Sequence, residues 1–213
     1  MRTIATLALV TVVSATPVRA EDDGWRLGLG MGVGASVLDP DLDDYRWDVS
    51  PATVVDASAS AFRGRWAAGL NARTTATVQA TGIPGESAAP EVDLHMIEAH
   101  GAVRALAWYG IELWGNAHGG RMFLRYEPDS LYLANPTGGA PIQVRFAPID
   151  EWTAGFGASL RREFSGRFAV AAQATNSFFA LDTSHRRNGE IVEQRETFHN
   201  WSIGLSASWL LEL

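Results

Sequence analysis

The 213-residue chain contains no cysteine, and its 17 basic residues are all arginine, so it has no lysine either. The missing thiol excludes disulfide frameworks, thiolate metal centres, cysteine nucleophiles and a lipid-modified N-terminal cysteine. Charge is scarce as well: 19% of residues carry it, with 24 acids against the 17 arginines and a formal net charge of −7. This acidic balance argues against nonspecific nucleic-acid binding, which needs clustered basic charge to neutralise phosphates along the backbone. Beyond residue 20 there is no apolar run near the ~20 residues that a spanning helix needs. The length fits one domain or at most two small ones.

What is present begins with a targeting pattern. Arg2 precedes ten apolar residues from Ile4 to Val13, then a polar stretch and Val18-Arg19-Ala20 before acidic Glu21. Ten apolar residues are too few to span a bilayer, and the layout is that of a secretory signal peptide. Cleavage after Ala20 is expected, making residues 1–20 the signal and residues 21–213 the mature domain. That domain retains 15 arginines against 24 acids, a net charge of −9.

From Trp25 onward the chain alternates with a period of two, which puts successive side chains on opposite faces of a strand. Eight such spans are predicted: 25–37, 47–61, 66–80, 95–107, 109–119, 151–161, 168–178 and 201–213. Their apolar faces carry no Asp, Glu or Arg. The opposite faces carry Arg26, Asp48, Asp56, Arg73, Glu98, Arg104, Glu112, Glu151, Arg161 and Glu212. A soluble sandwich or lipocalin-like barrel would bury the apolar face and expose the charges. A closed antiparallel barrel in a membrane does the reverse. The fold class predicted is therefore all-β: a closed antiparallel eight-stranded transmembrane barrel with up-and-down meander connections.

The connections alternate in length. Those at 62–65, Trp108 and 162–167 are tight, whereas 39–46, 81–94, 121–150 and 180–198 are long. Tight periplasmic turns and larger outer loops have this rhythm, so the N- and C-termini are expected on the periplasmic side. Aromatic residues mark two levels: Trp25, Trp66, Tyr109, Phe168 and Trp209 near the tight turns, and Trp47, Trp152, Phe178 and Trp201 near the long loops. Two such girdles are expected of a barrel that crosses a bilayer.

These features resemble the small eight-stranded outer-membrane barrels of Gram-negative bacteria, of the OmpA-transmembrane-domain and OmpX type. The closing stretch, residues 201–213, is similar to the C-terminal signal read by the barrel-assembly machinery, although Leu213 stands where Phe or Trp is usual. The resemblance implies residence in the cell outer membrane, contact with outer-membrane lipid and lipopolysaccharide, and assembly-machinery contact during insertion. It implies no family active site.

The inward charges form the candidate functional constellation: Asp56, Arg73, Glu98, His100, Arg104, Glu112 and His118 should cluster in the lumen. An eight-stranded barrel is just wide enough for side chains to fill it, and buried charges must pair. A salt-bridged plug is expected, with a narrow ion or solute path as the alternative. Gly28, Gly30, Gly32 and Gly34 do not make a phosphate loop, because no helix follows them. Asp39, Asp41, Asp43 and Asp44 lack the spacing and closing Glu of a calcium loop. Ser184-His185 with Asn188 loosely resembles the His-x-Ser-Asn stretch of lipid A deacylases, but Arg187 stands where the nucleophile belongs. His199 has no serine and acid partners in the sequence. The expectation is no catalysis, no cofactor and no metal, with a role in envelope structure or surface interaction. The outer stretch 121–150 holds Tyr126, Leu131, Tyr132, Leu133, Ile142, Val144 and Phe146. It is expected to extend as a hairpin with Pro136 at its tip, offering strand edges to a surface protein or ligand.

Overall fold

The computed structural model describes residues 24–81, 88–133, 135, 138–187 and 190–213. The expected signal segment and the hairpin-tip Pro136 lie outside the described residues. Ten strands are formed: β1 (Arg26–Leu38), β2 (Ala52–Arg63), β3 (Trp66–Val78), β4 (Glu91–Trp108), β5 (Ile111–Glu127), β6 (Ser130–Leu133), β7 (Ile142–Arg145), β8 (Ile149–Phe164), β9 (Phe168–Arg187) and β10 (Glu190–Glu212). Eight of them close into an antiparallel barrel in the order β1-β10-β9-β8-β5-β4-β3-β2, and β6 and β7 pair with each other as a separate hairpin. Closure runs from Arg26↔Glu212 to Leu38↔Asn200. Full closure leaves the ring without an unpaired edge, the condition for sheet backbone in hydrocarbon.

Local chemistry sets the connections. Tyr109 and Gly110 both have positive φ, as the tight β4–β5 hairpin requires. Within the wall, a Cβ on Gly34 would overlap the Ile203 carbonyl, so glycine permits the close approach of β1 to β10.

The barrel has two tiers with opposite polarity. In the tier next to the tight turns, outward positions are apolar and exposed, as with Met31, Leu70, Ile97 and Ile203, while Asp56, Glu98, His118 and Ser177 point inward and are buried. In the loop-end tier the strands continue but the faces exchange chemistry. Inward positions become Leu38, Val92, Leu94, Met96, Met122, Leu124, Phe179, Leu181 and Phe198, which pack into one buried apolar cluster. Outward positions there include His95, Arg121, Asp182 and Arg195. The exchange falls at one level on several strands: Glu98 gives way to Met96, His118 to Met122, Ser177 to Phe179 and Asn200 to Phe198. Below that level, Trp201 and Trp209 bracket the outward face of β10. Eight residues at ~3.3 Å each, tilted by ~40°, separate them by roughly 20 Å, close to the ~25 Å apolar band of a bilayer-spanning barrel.

Three expectations are corrected. β2 starts at Ala52 rather than residue 47, and Trp47 is not an outer-girdle ring: it is buried in the loop-end cluster, bridged to Gln79. Asp48 does not face the lumen. It lies in the β1–β2 connection, where the Ser50 backbone N–H donates to its carboxylate (2.9 Å) and holds it below the usual carboxylate range. The long connections are also largely strand: β4 starts at Glu91, and β9 and β10 run to Arg187 and from Glu190.

Candidate functional site: the lumen

The lumen is built as a floor, a chamber and a lid. At the turn end an ion-pair chain crosses from strand to strand. Arg26 Nη1 lies 3.0 Å from Glu163 Oε2, Glu163 Oε1 2.9 Å from Arg161 Nη2, and Arg161 Nη1 3.2 Å from Glu112 Oε2. Arg104 Nη1 donates to Glu112 Oε1 at 2.8 Å, and Trp114 Nε1 donates to Glu112 Oε2 at 3.0 Å. Glu112 thus accepts from three donors. The Arg161 guanidinium also lies 4.5 Å from the Phe62 ring, and Phe62 meets Trp114 edge-on at 5.9 Å. These charges and rings form the floor.

Above it lies a polar chamber of about 130 Å³, lined by Asp56, Arg73, His100, Asn116, His118 and Gln173 among others. Such a space holds several waters where polar partners are at hand. Arg73 donates to Thr175 Oγ1 at 3.0 Å, Gln173 donates to Asp56 Oδ2 at 3.2 Å, and His100 Nε2 bonds Ser60 Oγ at 3.1 Å. His118 is held twice, through Nε2 to Ser177 Oγ at 3.0 Å and Nδ1 to Asn116 Oδ1 at 3.3 Å. Glu98 is almost fully enclosed, 3.9 Å from Arg73 and 3.7 Å from His118. Those separations allow charge attraction but exceed a direct hydrogen bond.

The lid is the apolar cluster of the loop-end tier. Leu42, inside the short 3₁₀ helix Pro40–Tyr45, plugs it from above. Asp39 fixes that helix: Oδ1 accepts from Asp41 N at 3.1 Å and Oδ2 from His199 N at 3.2 Å, which commits this carboxylate to capping and strand docking. Among the described residues no group of three or more His, Asp or Glu is disposed to hold a metal ion.

The seven lumenal candidates divide by height. Asp56, Arg73, His100 and His118 line the chamber and Glu98 is enclosed beside Arg73 and His118, whereas Arg104 and Glu112 belong to the floor with Arg26, Arg161 and Glu163. Glu163 is a member that sequence reasoning assigned to a turn. Its signal is the alternation itself, because Ser159, Arg161 and Glu163 share one face of β8. Glu212 sits exposed at the rim, and Glu151 pairs with Arg195 (2.6 Å). Ser184 lies on the exposed end of β9; the side chain of His185 and residue Asn188 lie outside the described residues.

The glycine stripe of β1 serves this packing. A Cβ at Gly32 would collide with the Asp56 carboxylate, whereas one at Gly101 meets nothing within 4 Å. Gly32→Val should therefore lower stability by about 1–3 kcal/mol through overpacking, and Gly101→Val by far less. Urea midpoints of the two variants in lipid vesicles check this; equal midpoints would refute it.

No family model matches the chain, and no curated protein matches it. Solved structures do. The crystal structure of Neisserial surface protein A superposes with a TM-score of 0.53 at 8% identity, covering 87% of this chain and 96% of that one. The outer membrane protein AlkL in lipid bilayers superposes with a TM-score of 0.53 at 13% identity, covering 96% and 98%. At such identities the likeness is one of fold: this chain has the architecture of the small outer-membrane eight-stranded barrels.

Proposed function

We propose that the chain is an integral outer-membrane barrel without catalytic activity, whose loop-end tier stands clear of the bilayer and serves as a surface-interaction platform. The observation that carries this reading is the exchange of polarity at one level. An apolar exterior around a polar lumen suits lipid, and a polar exterior around an apolar core suits water. On this reading the outward belt meets outer-membrane lipid and lipopolysaccharide, and β10 presents the closing signal to the assembly machinery. The tight turns and both termini then face the periplasm.

The platform has strand edges to offer. β1 pairs with β10 only as far as Asn200, and β8 with β9 only as far as Phe179, so the outer halves of β9 and β10 pair with each other alone. Ile191 and Tyr132 stand exposed on the two protruding hairpins. Open edges and exposed apolar side chains suit an extended partner segment.

The missing cysteine makes the topology test clean. Ile191→Cys should react in intact cells with a membrane-impermeant maleimide, and Gly64→Cys only after the envelope is opened. The reverse pattern, or equal labelling, would refute the orientation. The lid disfavours the pore reading, so planar bilayers should show no steady conductance. Lipid A mass spectra should be unchanged by expression, and a changed acylation pattern would overturn the non-catalytic reading.

A further inference from the structure

The turn-end girdle carries arginines that differ from those elsewhere on the barrel. At the loop-end boundary Arg121 lies 4.9 Å from the Trp152 ring, and Asp150 neutralises it at 2.6 Å. Arg195, higher up, is held by Glu151 at 2.6 Å and Asp182 at 3.1 Å. At the turn end Arg63 lies 5.6 Å from the Trp25 ring, Arg65 5.8 Å from Trp66, and Arg162 5.4 Å from Phe164. Arg63, Arg65 and Arg167 are exposed and make no ion pair among the described residues.

Their positions are fixed by the fold. The β2–β3 turn is pinned where Arg104 N donates to the Arg65 carbonyl at 2.8 Å, and the β8–β9 turn where Leu210 N donates to the Arg167 carbonyl at 2.8 Å. In the ring order these turns are separated by β4 and β5 on one side and by β10 and β1 on the other. They therefore sit on opposite sides of the barrel. Each turn presents two arginines next to exposed aromatic rings, Trp25 and Trp66 at one and Phe164 and Phe168 at the other. Aromatic rings of this kind settle at headgroup depth, so the guanidiniums stand at the level of lipid phosphates. A guanidinium fork matches a phosphate's oxygens.

We propose that the two arginine turns are binding sites for the phosphates of anionic phospholipids in the leaflet that surrounds the turn end. Arg63 and Arg65 form one site and Arg162 and Arg167 the other. The flanking rings seat the glycerol region, and the loop end, whose boundary arginine is already neutralised by Asp150, lacks the equivalent. This deepens the membrane reading above and rests on it.

The test uses protein extracted from host membranes in mild detergent and incubated with equal amounts of phosphatidylglycerol and phosphatidylcholine, then examined by native mass spectrometry. Phosphatidylglycerol should be retained over phosphatidylcholine, with about two molecules per barrel, one for each arginine turn. Arg63→Gln with Arg65→Gln, or Arg162→Gln with Arg167→Gln, should remove one of them, and the fourfold variant should lose the preference. The fourfold Lys replacement should keep most of it, because charge is retained while the fork is lost. Equal retention of the two lipids by the unaltered protein, or a preference undiminished in either double variant, would overturn the proposal. If the unaltered protein is recovered from the soluble fraction instead of membranes, the membrane reading itself falls.

Discussion

Leu205→Arg should destabilise the barrel by about 2–4 kcal/mol in lipid vesicles, the cost of a basic residue on the lipid face at mid-depth. Thr197→Arg, on the same face of the same strand, should change stability by less than about 0.5 kcal/mol. Leu205 lies midway between Trp201 and Trp209, paired with Val33 and Ala172 on the neighbouring strands, and all three belong to the apolar exterior. Thr197 lies above the level at which the faces exchange chemistry, paired with Ala180 and two positions from Arg195. Both positions lie on the outward face of one strand and receive the same residue, so the difference reports the surroundings. Urea titrations in vesicles, read by tryptophan emission, supply both values. Equal losses at the two positions would mean that the outward face meets one solvent along its whole length, and the two-tier account would fail.

The floor of the lumen yields the second large effect. Glu112→Ala should cost about 3–5 kcal/mol, because it strands the buried Arg161 guanidinium, whose side chain is 7% exposed. Removal also leaves Trp114 Nε1 and Arg104 without their carboxylate acceptor. Replacing the pair together, Glu112→Leu with Arg161→Met, should recover the part of the loss that comes from the stranded Arg161, while Arg104 and Trp114 still lack this acceptor. Two apolar groups of similar volume need no counter-charge, and Glu163 keeps Arg26 as its partner. The temperature at which the folded, fast-migrating gel form converts to the unfolded one orders the three proteins. If the double replacement is as unstable as the single one, the floor acts through packing around Phe62 and Trp114 and not through charge.

Much of this was legible in the sequence because strands have a period of two and a bilayer tolerates no charge outside. Alternation alone located eight strands, their facing and the inward charges Asp56, Arg73, Glu98 and Glu112. Apart from the hairpin expected within residues 121–150, the upper tier escaped, for a physical reason. Its strands keep the same period but shift the apolar phase by one residue, so the apolar alternation breaks where the strand itself continues. The shift is written in apolar doublets, Val37-Leu38, Met96-Ile97 and Phe178-Phe179, each with one outward and one inward member. Trp47 was misplaced because an aromatic near a strand end reads the same whether it faces headgroups or a buried cluster. Glu163 was missed because β8 runs to Phe164, past residue 161 at which the alternating span was ended. The ties of Arg73 to Glu98 and of Glu98 to His118 depend on diagonal neighbours across β3–β4 and β4–β5, which require the register and not only the pattern.

Because interior and exterior exchange chemistry at the same height, the barrel has a fixed draught. Sinking by one outward position, roughly 5 Å along the axis for a tilted strand, would carry Arg121, His95 and His199 into hydrocarbon. Rising by the same step would lift Ile97, Phe178 and Trp201 into water. Both displacements are opposed on β4, β5, β9 and β10 together, so a bilayer of another thickness must stretch or thin to meet the protein. Whatever docks on the protruding hairpins would therefore be held at a constant height above the membrane.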